Sequence, residues 1–126
     1  MGVRPIVPLF LLHLKRQTMT TSIFDNIIAQ RHLSLIDFYA RWCGACSDME
    51  PTLQRIALSL GDMVNIIRID TDKLEHRRLV RRYNIVAVPT FILFNSGEAL
   101  WRDSGIVSYE TIAASIRRHA KHDIYR

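Results

Sequence analysis

The pattern of apolar and polar residues in this 126-residue chain predicts one α/β domain, a central mixed β-sheet of four to five strands flanked by helices on both faces. Three observations carry that reading. Near-continuous apolar, β-prone runs at 33–39 and 64–69 have the character of strands covered on both sides. Segments with helical spacing separate such runs, and strands joined through helices are parallel. The turn sequence Asn95-Ser96-Gly97-Glu98 instead joins two strand-like runs directly, so the last pair is an antiparallel hairpin.

The elements follow in order. Residues 1–18 form an N-terminal extension ahead of a single domain at 19–126. The extension reads as an edge strand at Phe10-Leu11-Leu12-His13-Leu14, as a weak signal-like segment, or as residues upstream of a true start at Met19. Ser22 can cap a short helix over 23–29. After the 33–39 strand, which only Asp37 interrupts with a charge, Cys46, Met49, Leu53, Ile56, Ala57 and Leu60 share one face of a helix running to Gly61, kinked at Pro51. A second buried strand follows at 64–69. Asp72 and Glu75 give a capping-box start to a helix through Arg82. Residues 86–94 are strand-like around Pro89, 99–102 complete the hairpin, and Ser108 opens a last helix with Tyr109, Ile112, Ala113, Ile116 and Ala120 inward.

Composition excludes several classes of function. At 48% hydrophobic and 23% charged, with few Gly and Pro, the chain is neither disordered nor low-complexity. Two cysteines cannot build a multi-bridge secreted framework or by themselves a structural zinc site, and none of the five histidines, His13, His32, His76, His119 and His122, lies at metal-ligand spacing from them. No metal is therefore expected. Three of the five net positive charges come from Arg4, Lys15 and Arg16, and the dense cluster at 75–82 reads as a solvated helix face, so no nucleic-acid partner is expected. The apolar stretch at 6–12 contains Pro8 and falls well short of the ~20 residues that span a bilayer, and no small-x-small cleavage site follows it. A cytoplasmic monomer without stable membrane insertion is the expectation.

Trp42-Cys43-Gly44-Ala45-Cys46 lies between the 33–39 strand and the long helix. A thiol at a helix N-terminus meets backbone N–H groups and the positive end of the helix dipole, which favour its thiolate, so Cys43 is the expected nucleophile. Cys46 sits one turn further in, on the apolar face, where it can attack a mixed disulfide formed at Cys43 and act as the resolving thiol. Asp37, an isolated carboxylate in an apolar strand, is expected to have a raised pKa and to exchange protons near neutrality.

Over about residues 22–118 the chain resembles the thioredoxin family. The family's tryptophan-cysteine-glycine-x-cysteine motif is matched by Trp42 to Cys46, its helix-kinking proline by Pro51, its buried aspartate by Asp37, its cis-proline by Pro89, and its later glycines by Gly97 and Gly105. The resemblance implies a thiol–disulfide oxidoreductase that reduces protein disulfides, with a redox disulfide between Cys43 and Cys46. A thioredoxin reductase linked to NADPH would recycle it, and since the electrons reside in the two sulfurs no bound cofactor is expected. It implies that Asp37 moves a proton to and from Cys46 through a water, and that a cis Pro89 brings the Val88 backbone beside the cysteines, where an extended substrate strand can pair with it. Trp42 would shield the disulfide and help form the docking surface, or simply pack.

Three positions depart from the family pattern. Ala45 stands where proline is usual between the cysteines, which restores an N–H and predicts a potential more oxidising by a few tens of millivolts, ~30 mV corresponding to ~1.4 kcal/mol. Tyr39 replaces a frequent tryptophan. The family's lysine near the buried aspartate falls at Ile66, and Arg68, two residues on and on the same strand face, is the candidate replacement. Two further readings use the same features: an exported oxidoreductase of this type, and a scaffold or assembly subunit built on the same fold.

Overall fold

The computed structural model describes residues 19–124; the candidate strand at 10–14 and the rest of the extension lie outside them. In chain order the elements are α1 (Thr21–Ile28), β1 (Leu33–Tyr39), α2 (Gly44–Asp48), α3 (Glu50–Leu60), β2 (Val64–Asp70), a 3-10 turn (Leu74–His76), α4 (Arg77–Arg82), β3 (Thr90–Asn95), β4 (Glu98–Ser104) and α5 (Tyr109–Ile124). Among the described residues the sheet has four strands in the order β2-β1-β3-β4. β1 runs parallel to β2 and antiparallel to β3, and β3 and β4 form the hairpin, so the sheet is mixed as expected.

Strand alternation sorts the core onto two faces. Leu33, Leu35, Val64, Ile66, Phe91 and Leu93 point toward α3 and α5, where Leu53, Ile56, Leu60, Ile112 and Ile116 meet them. Ile36, Phe38, Ile67, Ile69, Ile92 and Phe94 point the other way, toward Phe24 and Ile28 of α1 and Leu79 of α4. Every residue of β1 is buried, which is why its sequence reads as an almost unbroken apolar run. By the same alternation Asp37 and Arg68 belong to the first face, beneath the start of α3.

Several boundaries differ from the sequence reading, each for a local reason. Thr20 caps α1, its hydroxyl accepting the Ile23 N–H at 3.1 Å, and Ser22 lies inside the helix. The long helix is broken at Met49, with Pro51 in the first turn of the second piece, where a missing N–H costs nothing. The Asp72–Glu75 capping box does not form, since Lys73 precedes the 3-10 turn without a side-chain cap and the Asp72 carboxylate is engaged elsewhere. Buried His76 anchors this turn, its Nδ1 2.7 Å from the Asp70 carbonyl. β3 starts only at Thr90, after the cis Val88–Pro89 peptide, because proline has no N–H to give the ladder. Ser96 and Gly97 both take positive φ in the hairpin turn, and Ser108 caps the last helix through the Thr111 N–H.

Candidate active site

The end of β1, the start of α2 and the loop before β3 bring the candidate residues together. After Tyr39 a turn closes with the Cys43 N–H donating to the Ala40 carbonyl, and α2 begins at Gly44. Cys43 is its N-cap: the sulfur accepts the Cys46 N–H at 3.1 Å, and the thiol donates to the Val88 carbonyl at 3.5 Å. Cys43 is 7% exposed and Cys46 2%, so the nucleophile candidate is far more covered than a thiol at a helix start suggests, with only an edge open to solvent. The two thiols are not joined. Burial, then the hydrogen bond with Cys43 and the charges of Cys43 and Asp37, push the Cys46 thiol up to about 12, against a smaller opposing contribution from the Ala40 backbone.

Asp37 is buried, but it is not isolated. Arg68, its direct neighbour across the parallel ladder, donates from Nε to Asp37 Oδ2 at 3.0 Å. The same guanidinium donates to Glu50 Oε2 at 2.8 Å and lies 4.2 Å over the Tyr39 ring. Burial works against the Arg68 charge, yet the two carboxylates outweigh it and hold its pKa above the ordinary value. The isolation assumed for Asp37 from its apolar strand does not hold, while the candidate named for the missing lysine does: Arg68 supplies the counter-charge that Ile66 cannot. A proton-transfer role for Asp37 has to operate beside that guanidinium.

Trp42 is 73% exposed and its indole N–H donates to Asp72 Oδ2 at 2.8 Å, so it forms surface rather than core. The Pro89 carbonyl accepts the N–H of Gly105, whose φ of 83° suits glycine. Ala45 lies within α2, and at Gly44 a Cβ would meet open space. Val86 and Ile106, in the loops that the Gly105 N–H to Pro89 carbonyl bond joins, are 84% and 64% exposed, and Trp42 is likewise an exposed apolar side chain. Sequence reading missed Val86 and Ile106, because the first was taken into a strand, and it missed Glu50 and Asp72. For Glu50 the available signal was its place four residues after Cys46, one helical turn on. Among the described residues no group of three or more His, Cys, Asp or Glu side chains could hold a metal ion, and no helix is long and apolar enough to cross a membrane.

Residues 15–118 match the Thioredoxin family model. The chain is 39% identical over 95 residues to Thioredoxin Y, chloroplastic, of Oryza sativa subsp. japonica, covering 75% of this chain and 55% of that one; it thus spans about half the length of that relative. It is 33% identical over 101 residues to thioredoxin of Staphylococcus saprophyticus, covering 80% of this chain and 94% of the other. The crystal structure of thioredoxin from Trypanosoma brucei brucei superposes with a TM-score of 0.74 at 26% identity, over 82% of this chain and 88% of that one.

Proposed function

Because the chain belongs to the thioredoxin family, we propose that it is a thiol–disulfide oxidoreductase that reduces protein disulfides through Cys43 and Cys46 and is returned to the dithiol form by a reductase. The observation that carries the reading is the pair itself, with Cys43 Sγ capping α2 and accepting the Cys46 N–H while Cys46 lies buried behind it.

In the first step the Cys43 thiolate attacks one sulfur of a substrate disulfide, forming a mixed disulfide and expelling the other substrate sulfur as a thiolate. Cys46 then loses its proton, with Asp37 as the acceptor through a water, and attacks the Cys43 sulfur. That step forms the Cys43–Cys46 disulfide and releases the second substrate thiolate. Two electrons pass from the protein pair to the substrate, and the substrate thiolates take up two protons. The electrons reside in the sulfurs, so the chain needs no bound cofactor; NADPH enters only through the partner reductase. The Val88 backbone beside Cys43 and the exposed apolar side chains of Trp42, Val86 and Ile106 are the docking surface for an extended substrate segment.

For the compartment, similarity to a chloroplastic relative favours a plastid over the plain cytoplasmic location expected from the sequence. The decisive experiment measures the reduction potential of the pair in defined glutathione or dithiothreitol buffers, together with reduction of a protein disulfide driven by NADPH and a thioredoxin reductase. A strongly reducing potential with turnover is expected. An oxidising potential without turnover would overturn the reductase reading.

A further inference from the structure

Arg68 is shared between two carboxylates of very different exposure. Its side chain and that of Asp37 are each 1% exposed, whereas that of Glu50 is 35% exposed. Glu50 opens α3 in the first turn, where the helix dipole favours its charged form. A cavity of about 200 Å³ reaches this group from solvent, and its walls include Tyr39, Ala40, Cys46, Ser47, Glu50 and Arg68. Cys46 and the Arg68–Glu50 pair thus line one space.

We propose that Glu50 is a positioning residue for the resolving thiol: by drawing one side of the Arg68 guanidinium toward itself, it limits how fully Arg68 neutralises Asp37, and so keeps Asp37 and Cys46 able to hold a proton. The inference rests on the disulfide-exchange reading above and adds a residue to it. If Arg68 served only to compensate a buried Asp37, one carboxylate would be enough, and a half-exposed second one would dilute the pairing. The other charged and titratable groups around this unit leave Glu50 the distinctive lever. Tyr39 stacks on Arg68, Cys43 meets Cys46 from the N-cap of α2, and Arg41 is turned toward Asp70 at 3.7 Å. Removing the Glu50 charge leaves the whole guanidinium to Asp37, and both acids of the unit then lose their protons at lower pH.

The test is the pH dependence of Cys46 alkylation by iodoacetamide in the full chain carrying Cys43→Ser, which needs no catalytic turnover. Glu50→Gln is expected to lower the midpoint by about one pH unit. Arg68→Met is expected to raise it and to cancel the effect of Glu50→Gln. Should Arg68→Met fail to fold, Arg68→Lys serves, since one ammonium cannot bridge both carboxylates in the same way and the Glu50→Gln shift should shrink by at least half. A Glu50→Gln chain with lowered thermal stability but an unmoved midpoint would overturn the proposal, as would a shift undiminished in either Arg68 variant. Failure of the parent chain to reduce disulfides would remove the functional reading while leaving this titration to decide the electrostatic one.

Discussion

The indole N–H of Trp42 donates to Asp72 Oδ2 at 2.8 Å, tying the residue before the first cysteine to the loop that leaves β2. Trp42 is otherwise mostly open to solvent, so this bond is what fixes the orientation of the ring. Asp72→Ala is expected to release the ring and lower kcat/KM for a protein disulfide about fivefold, the equivalent of ~1 kcal/mol. Asp72→Asn, which keeps an acceptor, should retain most of the activity. Equal kcat/KM in all three proteins would show that the bond has no part in docking.

The raised Cys46 pKa sets a stability dependence on the alkaline side. The ordinary thiol value is 9.0 and the folded one about 12, so between these pH values the unfolded chain gives up a proton that the folded chain keeps. The unfolded state then binds fewer protons, and stability of the reduced protein falls as pH rises through that window. Urea unfolding of reduced protein at pH 8, 9 and 10 should show this fall, and Cys46→Ser should flatten it. A flat profile in the parent protein would contradict the burial argument.

The elements legible in the sequence are those fixed by local chemistry. Leu33–Tyr39 announces a doubly covered strand because all seven residues are buried, and Ser96-Gly97 announces a hairpin because both residues take positive φ. What was illegible depended on partners distant in the chain. Arg68 could be named as a candidate for Asp37 from its place on the strand face, but that it pairs directly, through the parallel register of β1 and β2 across 31 residues, and shares its guanidinium with Glu50 could not. Asp72 reads as a helix cap, but Trp42, 30 residues earlier, takes its carboxylate. Pro51 signals an interruption without saying whether the helix bends or stops; here α2 ends and α3 starts on either side of Met49. The two thiols and Pro89 are legible as a motif, whereas the covering of Cys43 is a property of the folded loops around it.

The Asp37–Arg68 pair also makes a stability prediction. Removing one member of a buried pair leaves the other charge without its compensation. Asp37→Asn is therefore expected to destabilise the protein by about 3 kcal/mol, the low end of the range for broken buried pairs, because Glu50 continues to hold Arg68. Denaturant unfolding near neutral pH measures it. A more stable Asp37→Asn protein would mean that the cost of burying the Asp37 carboxylate exceeds what Arg68 returns.

Ala45 carries the last prediction. It occupies the first turn of α2, where backbone N–H groups lack helical acceptors, beside the Cys43 sulfur that already takes the Cys46 N–H. Proline fits a first turn sterically, so Ala45→Pro should leave the helix intact while deleting one donor from the neighbourhood of the thiolate. Less stabilisation of the thiolate raises the free energy of the reduced pair and favours the disulfide, which makes the protein a stronger reductant. The potential of Ala45→Pro should be more negative by about 30 mV, corresponding to about 1.4 kcal/mol. Equilibration of both proteins against glutathione gives the difference directly. An unchanged potential would mean that the Ala45 N–H contributes nothing to the thiolate and that the capping bond from Cys46 alone sets its stability.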